Sequence, residues 1–144
     1  MKYGKNISEL KVGDSAEFSK TITETDIQGF AEASGDFNPA HMDQAYAEKT
    51  HFKGRIAHGA MAVAFISNVL GNILPGPGTI YVSQEVRFLA PMRIGDTIRT
   101  KVEVVEMILE RNRVKFKTNC NNQEGKEVVD GMAWVLAPLT PEKG

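Results

Sequence analysis

One cysteine in 144 residues, Cys120, cannot close an intramolecular disulfide, so the fold has to hold together by packing alone. The chain also lacks any run of 18 apolar residues. Its most apolar stretch, AMAVAFISNVLGNIL at 60–74, is interrupted by Ser67, Asn68, Gly71 and Asn72 and predicts a buried helix rather than a membrane span. No excess of one charge is present: 17 basic residues stand against 18 acidic ones, a net charge of −1. A global field able to attract nucleic acid or an anionic membrane is therefore excluded, and any anionic partner must be held by local charges. The N-terminus shows no charged region followed by an apolar stretch and a small-residue cleavage site, and with the lone cysteine this points to a cytoplasmic location. Repeats, low-complexity tracts and Pro/Gly/Ser-rich linkers are missing too, which predicts one domain over residues 1–144.

What is present is a change of hydrophobic period along the chain. SAEFSKTI (15–22) suits a short strand, and TETDIQGFAEASG (23–35) then takes helical spacing, with Thr23 and Asp26 as a capping box and Gly35 as the C-terminal stop. Residues 35–59 read as mostly irregular, with one short helix at 42–50. A helix starting near Gly59 is apolar nearly all round and is ended by Pro75-Gly76-Pro77-Gly78. Beyond it the period is two. Ile80, Val82, Val86 and Phe88 are expected on one face; so are Ile98, Val102 and Val104; Val114, Phe116 and Cys120; and Val128, Met132, Trp134 and Leu136. Short turn-rich connections predict an antiparallel four-stranded meander, and Gly131 inside the last strand predicts a bulge or a close backbone approach. An antiparallel sheet wrapped around a long apolar helix is an α+β arrangement, the hot-dog fold. Its open edge predicts pairing with a second copy, a homodimer.

Chemistry-bearing residues concentrate in the irregular segment. SGDFNPAH (34–41) holds Asp36, Asn38 and His41, and Pro39 stiffens the turn between them. A carboxylate and an imidazole a few ångströms apart can share one water, one group taking a proton while the other gives one. On spacing alone, Asp36 and Asn38 read as ordinary turn residues ahead of catalytic ones. Gly59, at the helix start, offers an unpaired N–H and no side chain, a setting for a developing oxyanion, although close packing explains the glycine as well. His58 reads as a capping or packing residue and His51 as a solvated loop residue. No spacing among His41, His51, His58, Asp36 and Asp43 matches a recognised metal motif, so no metal is expected. Cys120 falls in the core register, and Ser34 and Ser67 lack a nucleophile-elbow context.

FAEASGDFNPAH (30–41) followed by FKGRIAHGAM (52–61), and then LPGPGTIYVSQEVRFLAPMRIGDTI (74–98), resembles the MaoC-like, or hydratase 2, family of (R)-specific enoyl-CoA hydratases. One departure is Ala40, where a larger aliphatic residue is usual. The resemblance implies a hot-dog homodimer with no metal or redox cofactor, acting on acyl-CoA thioesters such as crotonyl-CoA. It implies Asp36 and His41 as the catalytic pair, Asn38 as their organiser and the Gly59 N–H as donor to the thioester carbonyl. Acyl chain length is then expected to follow central-helix side chains such as Val63, Ser67 and Leu70, with the last strand near Trp134. Lys53, Arg55, Arg87 and Arg93 are the cations near the site, each also readable as solvated. Two other readings are a hot-dog acyl-CoA thioesterase and a non-catalytic acyl-CoA binding module.

Overall fold

Thr23 and Asp26 start the first long helix by capping one another. The Asp26 N–H donates to Thr23 Oγ1 at 3.1 Å and the Thr23 N–H to Asp26 Oδ2 at 2.9 Å, which satisfies two of the donors a helix leaves unpaired at its start. The helix, α1 (Glu24–Ser34), buries Ile27 and Ala31 and stops at Gly35, whose φ of 81° is left-handed. These elements belong to a computed structural model that describes residues 3–139. Before α1 lies β1 (Ser15–Thr21); after it come α2 (Pro39–Met42), α3 (Gln44–Glu48), α4 (Ala60–Asn72), β2 (Ile80–Phe88), β3 (Thr97–Ile108), β4 (Arg113–Asn121) and β5 (Glu127–Leu136).

The strands form one antiparallel sheet in the order β1-β3-β4-β5-β2. Only β3, β4 and β5 follow one another as a meander, which corrects the four-stranded expectation. The segment after β2 crosses the fold instead of turning back: Leu89 N–H bonds Val128 O, Ala57 N–H bonds Met92 O, and Gly95 N–H bonds Ile22 O. β2 thus pairs with β5 and β3 with β1, and β1 and β2 are left as the two edges.

Helix α4 lies against β3, β1, β2 and β4 and buries Met61, Ala62, Ile66, Val69 and Leu70. Facing them are Ile98, Val102 and Val104 of β3 and Val114, Phe116 and Cys120 of β4, all at 0% exposure as the period of two predicted. Each large aliphatic side chain buried here contributes about 1.5–3 kcal/mol. Two other strands depart from a uniform period. The β2–β5 pairing shifts register between Tyr81 and Ser83. Tyr81 and Val86 therefore pack on the core while Ile80, Val82 and Phe88 are exposed. A second shift, between Cys120 and Asn121, puts both Val128 and Val129 inside. From there the buried face of β5 is Val129, Ala133 and Val135, and Trp134 moves to the outer face, with Lys115 Nζ 5.7 Å from its ring centre.

Gly131 marks a close approach. A Cβ built there would stand 2.0 Å from the Glu85 carbonyl oxygen. Overpacking of this kind costs about 1–3 kcal/mol or more, and here the obstacle is backbone. Gly131→Ala is expected to lose at least that much, read from the urea unfolding midpoint. Asp26 supplies a pH-dependent check. Burial pushes its carboxyl up, but the Thr23 N–H, Lys20 and the Thr23 hydroxyl outweigh that and hold it below its ordinary value of 3.8. Its stabilisation is present above that value and is lost as the pH falls through the lowered one. Asp26→Asn is expected to be less stable than wild type at pH 7, with the difference closing in unfolding curves taken towards pH 3.

Candidate active site

The turn around Asn38 is held by its own side chain. Asn38 Oδ1 accepts from the Ala40 N–H at 3.0 Å, Pro39 takes the first helical position, and the His41 N–H donates to Asn38 O at 2.9 Å. Residues 39–42 are consequently a four-residue helix, α2, where the composition suggested irregular chain. The next cap, Asp43 Oδ1 to the Tyr46 N–H at 3.1 Å, starts α3 two residues later than the 42–50 helix expected. On the other side of Asn38, its N–H donates to Asp36 Oδ1 at 3.1 Å, and the Asp36 N–H donates to Ser34 Oγ at 3.1 Å. Asn38 thereby orders both partners: it points the Asp36 carboxylate and starts the turn that carries His41.

His41 is half-buried, and its Nδ1 lies 2.8 Å from the Ile56 carbonyl oxygen. A carbonyl can only accept, so Nδ1 carries the hydrogen, and in the neutral ring Nε2 presents a lone pair. Arg55 braces the same turn from behind. Its Nε donates to the His41 carbonyl oxygen at 2.6 Å, and its two terminal nitrogens hold Glu24 of α1 at 2.8 and 2.9 Å. His58 is buried, and its Nε2–H donates to the Asp36 carbonyl oxygen at 2.9 Å. The His58 ring stacks on His41, centroids 4.1 Å apart, and lies 4.9 Å from Phe30 of α1.

One donor atom each from Asp36, His41 and His58 lie within 4.8 Å of one another, the group among the described residues near enough to hold a metal ion. Zinc asks for donors converging on one point at about 2 Å. Here His41 Nδ1 and His58 Nε2 are committed to carbonyl oxygens, which leaves His41 Nε2 and the buried His58 Nδ1 as the ring atoms not so engaged.

Gly59 caps the start of α4 with φ −56°, and among the described residues its N–H has no protein acceptor. A Cβ there would come within 3.0 Å of the Phe88 ring. His41 and Gly59 open onto one pocket of about 470 Å³. Its walls are mostly apolar, formed by Phe52, Ile56, Ala57, residues 88–92 and Val129. Asp36 and Asn38 do not line it. Neither do Ser67, exposed on α4, nor Leu70, 1% exposed in the core, nor Trp134. Val63 instead borders a separate pocket beside residues 81–84 of β2.

Of the four cations singled out in the sequence, Arg55 and Arg93 bond the protein itself, the latter through Phe52 O at 2.6 Å. Lys53 and Arg87 are exposed and, among the described residues, form no ion pair. The strap at 88–92, Glu24 and Phe30 went unread as site residues. The strap and Glu24 reach the site from other elements, and Phe30, close to Asp36 in sequence, joins it only through its contact with the His58 ring.

A sheet curved around one central helix, with a pocket at the helix start, defines an α+β hot-dog protein. The chain belongs to the MaoC-like family: the family model described as MaoC like domain matches residues 8–126. It is 50% identical over 130 residues to the (R)-specific enoyl-CoA hydratase of Rhodospirillum rubrum, covering 90% of each chain. To the 3-hydroxybutyryl-CoA dehydratase of Methylorubrum extorquens it is 47% identical over 135 residues, 93% of this chain and 85% of that one. Among solved structures it resembles the unliganded R-hydratase PhaJ1 of Pseudomonas aeruginosa, with a TM-score of 0.88, 44% identity, and 98% and 97% of the two chains covered.

The brace behind His41 is open to test. Arg55→Met removes the donor to the His41 carbonyl and leaves Glu24 unpaired. A hydrogen bond from a charged donor contributes about 1.5–3 kcal/mol, and the Glu24 pair, with a half-exposed carboxylate, adds less. The variant is expected to lose stability of that order in urea unfolding, and Arg55→Lys to recover only part, because an ammonium cannot reproduce the fork.

Proposed function

We propose that this protein is an (R)-specific enoyl-CoA hydratase, a hydro-lyase that adds water to a trans-2-enoyl-CoA to give the (R)-3-hydroxyacyl-CoA, and reverses the addition. The observation that carries the reading is the meeting of His41 and Gly59 in one apolar pocket, with the Asp36 carboxylate beside the His41 ring. The names of its relatives in Rhodospirillum rubrum and Methylorubrum extorquens support the same reaction.

The Gly59 N–H donates to the thioester carbonyl oxygen, where negative charge grows as C3 is attacked. A preorganised donor of this kind is worth about 2.7–4 kcal/mol in the transition state, and the N-terminal end of the α4 dipole adds to it. Water sits between the Asp36 carboxylate and His41 Nε2. One group takes a proton from it as oxygen bonds to C3, and that same proton, held within the pair, is delivered to C2 on the same face, so the pair ends as it began. Asn38 acts through Asp36 and His41 by fixing their turn. The apolar walls of the pocket exclude bulk water, and Lys53 and Arg87 are the exposed cations free to meet the coenzyme A phosphates.

The same reading takes the chain as a single domain that works as a homodimer in the cytoplasm. The two sheet edges differ: β1 exposes Ser15, Glu17, Ser19 and Thr21, whereas β2 exposes Ile80, Val82 and Phe88 alongside Ser83, Glu85 and Arg87, with Leu89 just beyond it. Exposed apolar side chains on an edge are what needs covering, and a second copy would cover those of β2. Among the described residues no helix is long and apolar enough to cross a membrane.

The test is the loss of the conjugated enoyl-thioester absorbance when the protein meets crotonyl-CoA, with an (R)-specific 3-hydroxyacyl-CoA dehydrogenase reading the product. Asp36→Asn and His41→Ala are each expected to lower kcat by about 10²–10⁴, the range of acid–base catalysis, while staying folded by circular dichroism. Free thiol released from a saturated acyl-CoA would instead mark a thioesterase. Absence of turnover on crotonyl-CoA and on longer enoyl-CoAs would leave binding alone.

A further inference from the structure

His58 is 1% exposed, yet it is a polar ring, and its Nδ1 is buried with no hydrogen-bond partner. An apolar ring would fill the same space without leaving a buried acceptor unpaired. Nor does the side chain cap α4, whose start has no side-chain hydrogen bond. The donor on the other nitrogen is what an apolar ring could not supply. That Nε2–H meets the Asp36 carbonyl oxygen at 2.9 Å, across 22 residues of sequence. The face of the same ring supports His41, centroids 4.1 Å apart with planes at 33°, and its other neighbour is Phe30 of α1 at 4.9 Å. His58 therefore touches both members of the Asp36/His41 pair, the backbone of one and the ring of the other, and it is covalently next to Gly59.

We propose that His58 is a positioning residue: its ring N–H and its stacked face together hold Asp36 and His41 at the separation that lets them share one water. The role rests on the hydratase reading for its kinetic consequence, but the geometry it predicts can be read without turnover. A reacting group displaced by about 1 Å can cost a hundredfold in rate, so a loosened pair should slow chemistry more than it weakens binding. That separates positioning from packing.

The experiment compares wild type, His58→Phe and His58→Gln on crotonyl-CoA, with melting temperatures and nitrogen-15 NMR of the imidazole groups. Phenylalanine keeps a stacking ring and drops the donor; glutamine keeps a donor at similar reach and drops the ring. The expected result is a folded Phe variant whose kcat falls roughly 10- to 100-fold with KM within about threefold of wild type, and a Gln variant that recovers part of the lost rate. In the wild-type spectra the His58 ring proton is expected on Nε2 in slow exchange and that of His41 on Nδ1, the latter turning into a mixture of tautomers in the Phe variant. A Phe variant with wild-type kcat overturns the proposal, as does a fall in kcat that only tracks melting temperature in both variants. Should the Phe variant not fold, the Gln variant and the wild-type spectra decide: a His58 proton on Nδ1, or one exchanging at the solvent rate, overturns it. If wild type hydrates no enoyl-CoA the hydratase reading fails by itself, and the tautomer of His41 with and without His58 still tests the positioning.

Discussion

Burial of α4 against the sheet is the constraint on which the site depends. Five of its side chains are locked among residues of β3 and β4 that are themselves fully buried, and a close-packed interior has little freedom to slide. The start of the helix is thereby fixed in space, and with it the Gly59 N–H and the His58 ring. A donor that already points at the place where charge will develop needs no reorganisation during the reaction, which is the condition under which such a group is most effective.

Against this rigid wall the segment from 34 to 58 is built almost entirely from short-range polar bonds. Ser34, Asp36 and Asn38 each turn the chain with a side-chain oxygen, and Asp43 repeats the device at α3. Such bonds act over two or three residues and cannot by themselves place a loop on a distant helix. Four longer contacts fix it: Arg55 to Glu24 of α1, and within the segment Arg55 to His41, His41 to Ile56 and His58 to Asp36. The site is a locally folded loop cross-tied within itself, fastened to α1 through Arg55 and Glu24 and running directly into the start of α4.

The edges show the same division between what is satisfied within one chain and what is not. On β1, polar and charged side chains meet water, and Arg99 reaches Glu17 at 3.2 Å. On β2, apolar side chains are left facing outward next to the strap that walls the pocket. The pocket and the apolar edge are thus continuous through Phe88 and Leu89, so a second copy seated on β2 would stand beside the pocket mouth.

Local patterns in the sequence determined a good deal. The α1 capping box, the left-handed stop at Gly35, the start of α4 at Gly59, the buried faces of β3 and β4 and the close approach at Gly131 all follow from interactions within a few residues or from a strict period of two. The grouping of Asp36, Asn38 and His41 was legible for the same reason, since Asn38 bonds both neighbours across two or three positions. Tertiary structure alone decided the strand order, the faces of β2 and β5, and the walls of the pocket. Single-residue bulges at Val82 and Val128 invert the period, and each is accommodated by a neighbouring strand, β5 for the first and β4 for the second. The strap at 88–92, the brace from Glu24 and the stack of Phe30, His58 and His41 exist only once α1, α4 and β5 have packed. No spacing along the chain encodes contacts between side chains that the core brings together.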